Sequence, residues 1–181
     1  GGVSYIYMNL VLGDAASSLT NMPEICIIPI AYAGDNFADY GYAIPAIVKF
    51  MQKHAKKLET ERFILSVRGF DYYNGKAEFK DKVLLLNKAG MAKYVDTPDR
   101  INTVYPYYVK LLSVNEIQEE INLSPTNALF LFHLGPVEDG AAGKCFEMIF
   151  DAEGNLCYYN SRKITNENGD GFNMNDFKNI R

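Results

Sequence analysis

His133 is the residue of this chain whose type and position best suit acid–base or metal chemistry. It lies inside the apolar segment Ala128–Leu134, directly before an acidic loop that carries Glu138 and Asp139. A histidine oriented by a carboxylate can act as a general base or as a metal ligand. The other interpretation is a buried, neutral histidine whose nitrogens bond to neighbouring groups. His133 is therefore the candidate catalytic residue, with both interpretations open.

A second acidic loop, residues 34–41, follows the apolar segment 25–31. If the two apolar segments are neighbouring strands, the carboxylates of both loops converge, and such a cluster favours calcium or magnesium. The alternative is that these residues are solvated loop acids or caps for the next helix. The candidate ligand-binding residues are Asp35, Asp39, Tyr40, Glu138 and Asp139.

The polar stretch before the last helix imitates a calcium-binding loop. Asn166, Asn168 and Asp170 occupy its first, third and fifth positions. The twelfth position is Phe177, where such a loop needs a bidentate glutamate. These residues are a weak metal candidate, and a polar turn before a helix explains them equally well.

Motifs for nucleophilic or nucleotide chemistry are missing from the sequence. It has no G-x-S-x-G elbow, no Walker-type loop and no G-x-G-x-x-G after a strand. The hairpin spacing separates Cys145 from Cys157 by roughly 13 Å, beyond the reach of a disulfide. We therefore expect three reduced core cysteines, including Cys26, and no cofactor.

Composition limits the class of protein and its partners. The 181 residues are 48% hydrophobic with a net charge of −4, as expected for one globular domain over residues 1–181. Lys53, Lys56 and Lys57 are interpreted as the solvent side of a helix, so a nucleic acid partner is not expected. No apolar run approaches the ~18 residues of a membrane span. The start without methionine favours an exported protein of the periplasm or cell surface, with a cytoplasmic one as the alternative.

Tyrosine is abundant, with 13 residues, while tryptophan is absent. Adjacent tyrosines on a strand point to opposite faces, so about one of each pair should be exposed or half-exposed. Exposed tyrosines suit a binding surface, although strand propensity alone also explains such pairs.

Hydrophobic periodicity and turn residues predict the elements that position these groups. Strands are predicted at 4–12, 25–31, 107–112 and 128–134, hairpins at 62–86 about Asn74–Gly75 and 144–163 about Gly154, and helices at 43–59, 114–122 and a last turn carrying Phe177 and Ile180. Ser113 and Glu116 match the capping-box pattern at the start of the second helix.

These elements predict an α/β fold, with α+β as the alternative. It has one mixed sheet of about seven or eight strands, one long amphipathic helix and two or three short helices. Segments 25–31 and 128–134 would form a parallel pair at its centre. A weak echo in the sequence suggests an internal repeat with halves 4–88 and 105–181.

Two segments carry a resemblance to other sequences. They are FHLGP (132–136) and the hairpin CFEMIFDAEGNLCYYN (145–160), which has a D-A-E-G-N turn and is rich in tyrosine and asparagine. The chain resembles an uncharacterised exported bacterial protein family. The resemblance implies a periplasmic or surface location and no known activity, and it assigns no functional residue.

The sequence favours a non-catalytic exported binding module for a protein or small ligand. One alternative is a metal-assisted or hydrolase-like enzyme that uses His133 with the loop carboxylates. Another is a structural component of a surface assembly.

Overall fold

The computed structural model describes residues 4–13, 18, 21–32, 36–135, 143–164 and 171–180. These residues form seven strands and four α-helices. In chain order they are β1 (Tyr5–Val11), β2 (Glu24–Tyr32), α1 (Ile44–Arg68), β3 (Val83–Asn87), α2 (Pro98–Asn102), β4 (Tyr108–Leu112), α3 (Val114–Leu123), β5 (Ala128–Leu134), β6 (Lys144–Asp151), β7 (Leu156–Lys163) and α4 (Met174–Asn179).

The strands form two sheets, so the prediction of one sheet of seven or eight strands is wrong for the described residues. β1 and β2 make an antiparallel ribbon, while the other five strands are ordered β4-β3-β5-β6-β7. In the larger sheet β3 runs parallel to β4 and β5, and β5, β6 and β7 are antiparallel neighbours. The architecture is therefore mixed α+β, which was the alternative fold prediction.

β5 is the central strand of the larger sheet and is buried on both faces, as its continuous apolar sequence predicts. Phe130 and Phe132 point into a core that contains residues of α1, α3 and β2. Leu129 and Leu131 point to the opposite face, which α2 and α4 cover. The predicted bounds of this strand are confirmed.

The predicted parallel pairing of segments 25–31 and 128–134 is wrong. The parallel partner of β5 is β3, and β2 pairs only with β1 among the described strands. Pro29 lies within β2 and has no N–H group to donate, which suits a strand in a two-stranded ribbon better than a strand in the middle of a sheet. β2 packs its buried side chains on the larger sheet instead of extending it.

The helix predicted at 43–59 is longer than expected, and the hairpin predicted at 62–86 is wrong. α1 continues to Arg68, and a 3₁₀ helix, Gly69–Tyr73, follows it. The turn at Asn74–Gly75 is present, but it has no strand before it. The Asn74 side chain instead donates to the Tyr159 carbonyl oxygen and accepts from the Tyr159 N–H, so it takes the place of a neighbouring strand at the edge of β7.

The predicted β6–β7 hairpin is confirmed, with a register shift between Ile149 and Phe150. The sequence predicts that Cys145 lies opposite Ser161. Because of the register shift, Cys145 pairs with Arg162 instead. All three cysteines are buried thiols, which confirms the prediction that they are reduced. The Asp151 N–H donates to the Asn155 carbonyl oxygen and closes the turn.

The substitution Gly154→Ala should destabilise the fold by about 2 kcal/mol, because the site combines a left-handed backbone with close packing. Its φ is +76°, and an added Cβ would lie 2.5 Å from Lys49 Cβ and 2.7 Å from the Ala46 oxygen. Gly75 has a similar φ of +72° but open space around it. Urea unfolding should therefore show a smaller loss for Gly75→Ala, and equal losses would contradict the packing argument.

The short helices follow their sequence signals. Ser113 and Glu116 make the predicted capping box at the start of α3, and Phe177 and Ile180 are buried around α4. The predicted repeat is not visible in the pairings, because β1 and β2 are antiparallel neighbours whereas β4 and β5 lie on either side of β3. Within the described ranges, no helix has the length and apolar character needed to cross a bilayer.

Candidate functional site

A groove of about 450 Å³ lies between α1 and the turn that joins β6 to β7. Three lysines of α1 line it, together with apolar side chains and the turn itself. We call it the lysine groove. It is lined by Phe50, Lys53, Lys56, Lys57, Tyr73, Gly154, Asn155 and Leu156. None of these side chains is a carboxylate, so the groove presents positive charge without an internal counter-charge.

Contacts between α1 and the β6–β7 turn fix the shape of the lysine groove. Lys49 Nζ donates to the Ala152 oxygen at 3.1 Å, and Lys53 Nζ donates to the Glu153 oxygen at 2.9 Å and to Asn155 Oδ1 at 2.7 Å. The Asp151 carboxylate accepts two hydrogen bonds from Asn155, at 2.8 and 2.7 Å. The turn is therefore held in place before any ligand arrives.

The lysines differ in how many of their donors are already used. Lys53 uses two of its three N–H groups on the turn and keeps one. Lys57 Nζ lies 3.6 Å from the Glu61 carboxylate. Lys56 makes no hydrogen bond or ion pair with other residues in the described part of the chain, and its side chain is exposed. Lys56 is therefore the cation most available to a bound anion.

Phe50 and Tyr73 are the aromatic residues of the groove lining, and Tyr73 makes a hydrogen bond with the buried His54. His54 Nδ1 lies 2.8 Å from the Tyr73 hydroxyl oxygen; both rings pack against Phe50, and the His54 ring also packs against Phe70. Burial lowers the pKa of His54 and raises that of Tyr73, so both side chains are neutral near pH 7. The two side chains therefore add no charge of their own to that of the groove lysines.

The structure brings two of the predicted site residues together. His133 and Tyr40 both line a small cavity of about 10 Å³, which has room for one water molecule at most. The half-buried His133 ring packs edge-on against Phe172. Asp39 lies on the exposed side of a 3₁₀ helix, Phe37–Ala43, and does not line this cavity.

The other predicted residues lie outside the described part of the chain. These are Asp35, Glu138 and Asp139 of the acidic loops, and Asn166, Asn168 and Asp170 of the calcium-like stretch. The described residues that flank the two acidic loops are close together, because the Tyr32 hydroxyl, at the end of β2, donates to the Lys144 oxygen at 3.2 Å. A shared site at these loops stays a prediction. Among the described residues, no group of three or more His, Cys, Asp and Glu side chains could hold a metal ion.

A buried charged cluster lies on the face of the sheet that α4 covers, and the sequence analysis missed it. Arg162 Nε lies 3.2 Å from Glu147 Oε1 and 3.3 Å from Asp176 Oδ1. Asn160 Nδ2 donates to Glu147 Oε2 at 2.9 Å, and Arg162 Nη2 also donates to the Gly171 oxygen at 3.0 Å. Glu147 is fully buried and Asp176 is 3% exposed. We call Glu147, Arg162 and Asp176 the carboxylate–arginine cluster.

Two carboxylates share one guanidinium in this cluster. Burial, with the charge of Asp176, raises the pKa of Glu147 to about 7, and burial also raises the pKa of Asp176. A shifted carboxyl group of this kind is often catalytic, but ion pairs that only support a fold show the same shift. Because both carboxylates are buried and Arg162 ties Asp176 of α4 to Glu147 of the sheet, we interpret the cluster as structural.

The exposed tyrosines belong to three different segments of the chain. The exposed ones, Tyr7, Tyr94 and Tyr108, lie on β1, on a loop and on β4. Those that are buried are used in the core, where Tyr42, for example, donates to the Leu131 oxygen at 2.8 Å. The case for ligand binding therefore depends on the lysine groove instead.

Comparisons of this chain with protein families, with curated proteins and with solved structures found no match.

Proposed function

We propose that this protein is a non-catalytic binding module that holds a small anionic ligand in the lysine groove. The observation that carries this proposal is the convergence of three lysines on an open groove whose lining has no carboxylate. The groove's volume of about 450 Å³ is in the usual range for small-molecule sites.

The lining defines the chemistry of the expected ligand. A carboxylate or phosphate group would accept hydrogen bonds from Lys56 and from the remaining donor of Lys53. The half-buried ring of Tyr73 would contact the carbon skeleton of the same molecule, whereas Phe50 and Leu156 are themselves buried. A small organic acid with several carboxylate groups, such as citrate, therefore fits the groove better than a simple inorganic ion.

Binding is favoured over catalysis by the state of the polar groups at the groove. Tyr73 has a raised pKa and holds its proton, and His54 is buried beneath it. The lysines could hold a negative charge, but no neighbouring group in the described lining is suited to act as nucleophile or general base. The exported location expected from the sequence belongs to the same proposal, and fractionation of the producing cells tests it.

Replacing Lys56 should weaken anion binding without changing the fold, because its side chain is exposed and makes no contact that holds the turn. With citrate as the probe, Lys56→Gln should raise the dissociation constant about tenfold, since one charge-assisted contact is lost. Isothermal titration calorimetry at low salt measures this change, and added sodium chloride should weaken binding further.

Lys93→Gln is the matched control, because Lys93 is also exposed but lies outside the groove. It should bind citrate like the parent protein. The proposal is contradicted if citrate does not bind to the parent protein, or if the Lys56 and Lys93 variants lose the same affinity.

A further inference from the structure

The last turns of α1 carry apolar side chains that the rest of the described chain leaves uncovered. Glu61 interrupts the helix, with φ −120° and ψ 27°, and the segment beyond it ends at Gly69. In this segment Phe63 is 80% exposed, Val67 is 70% exposed and Ile64 is 43% exposed. Exposed apolar residues that cluster in this way mark interaction sites more often than singly scattered ones do.

Helical spacing places these three side chains on one face. Phe63 and Val67 are four residues apart, and Ile64 lies beside Phe63 and three residues before Val67, so all three are neighbours on the helix surface. We call residues 62–68 the apolar ridge. The high exposure of Phe63, Ile64 and Val67 means that these three side chains project outward from the protein instead of lining a cleft.

The charges around the apolar ridge are mainly positive. Arg62 and Arg68 are exposed, and neither makes an ion pair with another described residue. The nearby Glu61 carboxylate is occupied, because it accepts from the Tyr72 hydroxyl and pairs with Lys57. Residues 62–68 hold two arginines and no acidic residue. The positive charge beside the apolar ridge therefore favours an anionic partner.

We propose that the apolar ridge docks on the surface of an anionic phospholipid bilayer. Phe63, Ile64 and Val67 would enter the boundary between headgroups and acyl chains, while Arg62 and Arg68 would contact lipid phosphates. An acyl layer deforms around projecting side chains, whereas a folded acidic protein would need a matching pocket for each of them. The combination of projecting side chains and positive charge therefore favours a lipid surface.

This docking is peripheral and reversible. Three apolar side chains and a few cations give only modest affinity, to which each cation near an anionic surface adds about 1 kcal/mol. The net charge of the whole chain is −4, so the attraction is local and should disappear at high salt. The inference does not depend on the lysine groove, because its decisive side chains are Phe63 and Val67.

Cosedimentation with vesicles tests the inference. The protein should sediment with vesicles of equal parts phosphatidylcholine and phosphatidylserine, and much less with phosphatidylcholine alone. The double variant Phe63→Ser/Val67→Ser should bind the mixed vesicles about tenfold more weakly, since it loses most of the apolar contact. Because both side chains are exposed, this variant should keep the parent unfolding temperature.

Leu123→Ser is the matched control, because Leu123 is 78% exposed but lies at the end of α3. It should bind the mixed vesicles like the parent protein. The inference is overturned if the parent protein does not sediment with the mixed vesicles, or if it binds the two vesicle compositions equally. It is also overturned if the double variant binds as tightly as the Leu123 variant. Binding of the ridge to polyglutamate, with none to the vesicles, would replace the lipid surface by an acidic polypeptide.

Discussion

Arg162→Met is expected to destabilise the protein by about 3–5 kcal/mol, the usual result of removing one partner from a buried ion pair. The substitution would leave Glu147 and Asp176 buried without their shared cation. It would also remove the hydrogen bond from Arg162 to the Gly171 oxygen, which holds the segment before α4. Urea unfolding measures the total loss, and hydrogen exchange should show the amides of residues 171–180 opening first.

Two control proteins separate the buried charge from a general effect of losing arginine. Arg100 pairs with Asp96 at the surface, where both side chains are more than half exposed, so Arg100→Met should cost less than about 0.5 kcal/mol. The triple variant Arg162→Met/Glu147→Gln/Asp176→Asn has no unpaired buried charge and should recover much of the lost stability. If the Arg162 and Arg100 variants are equally stable, the structural role of the carboxylate–arginine cluster is wrong.

Acidification should stabilise the fold through the carboxylate–arginine cluster, opposite to the usual effect of acid on a protein. The pKa of Glu147 is raised from its ordinary 4.5 to about 7, so the folded chain binds this proton more tightly than the unfolded chain does. The stabilisation is fully present below pH 4.5 and is lost as the pH rises through about 7. Its upper limit is about 3 kcal/mol, at 1.36 kcal/mol for each unit of pKa shift.

Glu147→Gln isolates this contribution, because glutamine keeps the shape and cannot ionise. The difference in unfolding free energy between the parent protein and this variant should change by about 2–3 kcal/mol from about pH 5 to about pH 8, with the variant favoured at high pH. Urea unfolding across this range provides the measurement. Glu153→Gln, at an exposed position of the β6–β7 turn, should give no such change. Parallel pH profiles for the parent and Glu147→Gln would show that the Glu147 proton does not contribute.

The sequence predicted the elements that local signals define. The bounds of β5 follow from an apolar run flanked by turn residues, and the start of α3 follows from Ser113 and Glu116, whose side chains form the capping box. Gly154 marks the β6–β7 turn because the backbone there has a positive φ, which glycine adopts most easily. Each of these signals acts within a few residues, so no tertiary information was needed.

The errors in the fold arose where distant contacts outweigh a local signal. Asn74–Gly75 is a strong hairpin signal, but the side chain of Asn74 pairs with Tyr159, which is 85 residues away. The apolar run of β2 favoured a place in the central sheet, but β2 pairs with β1 and packs on a face of that sheet. Neither arrangement can be derived from periodicity within one segment.

The lysine groove and the carboxylate–arginine cluster also needed tertiary information. The sequence predicts that Lys53 and Lys56 face solvent, and only the approach of the β6–β7 turn, about 100 residues later, converts that face into a groove. A glutamate inside the apolar strand β6 was a visible signal for the carboxylate–arginine cluster. Its partner Arg162 can be proposed from the hairpin, but Asp176 cannot, because no local signal in the sequence places α4 against the sheet.

The most direct test of the lysine groove is a map of backbone amide chemical shifts on addition of citrate, recorded by NMR at low salt. The account predicts changes that saturate and centre on residues 53–57, on Tyr73 and on the turn at Gly154 and Asn155. The same titration of the Lys56→Gln protein should reach saturation at a higher citrate concentration. Saturating changes centred elsewhere, or no changes at any of these amides, would contradict an anion site in this groove.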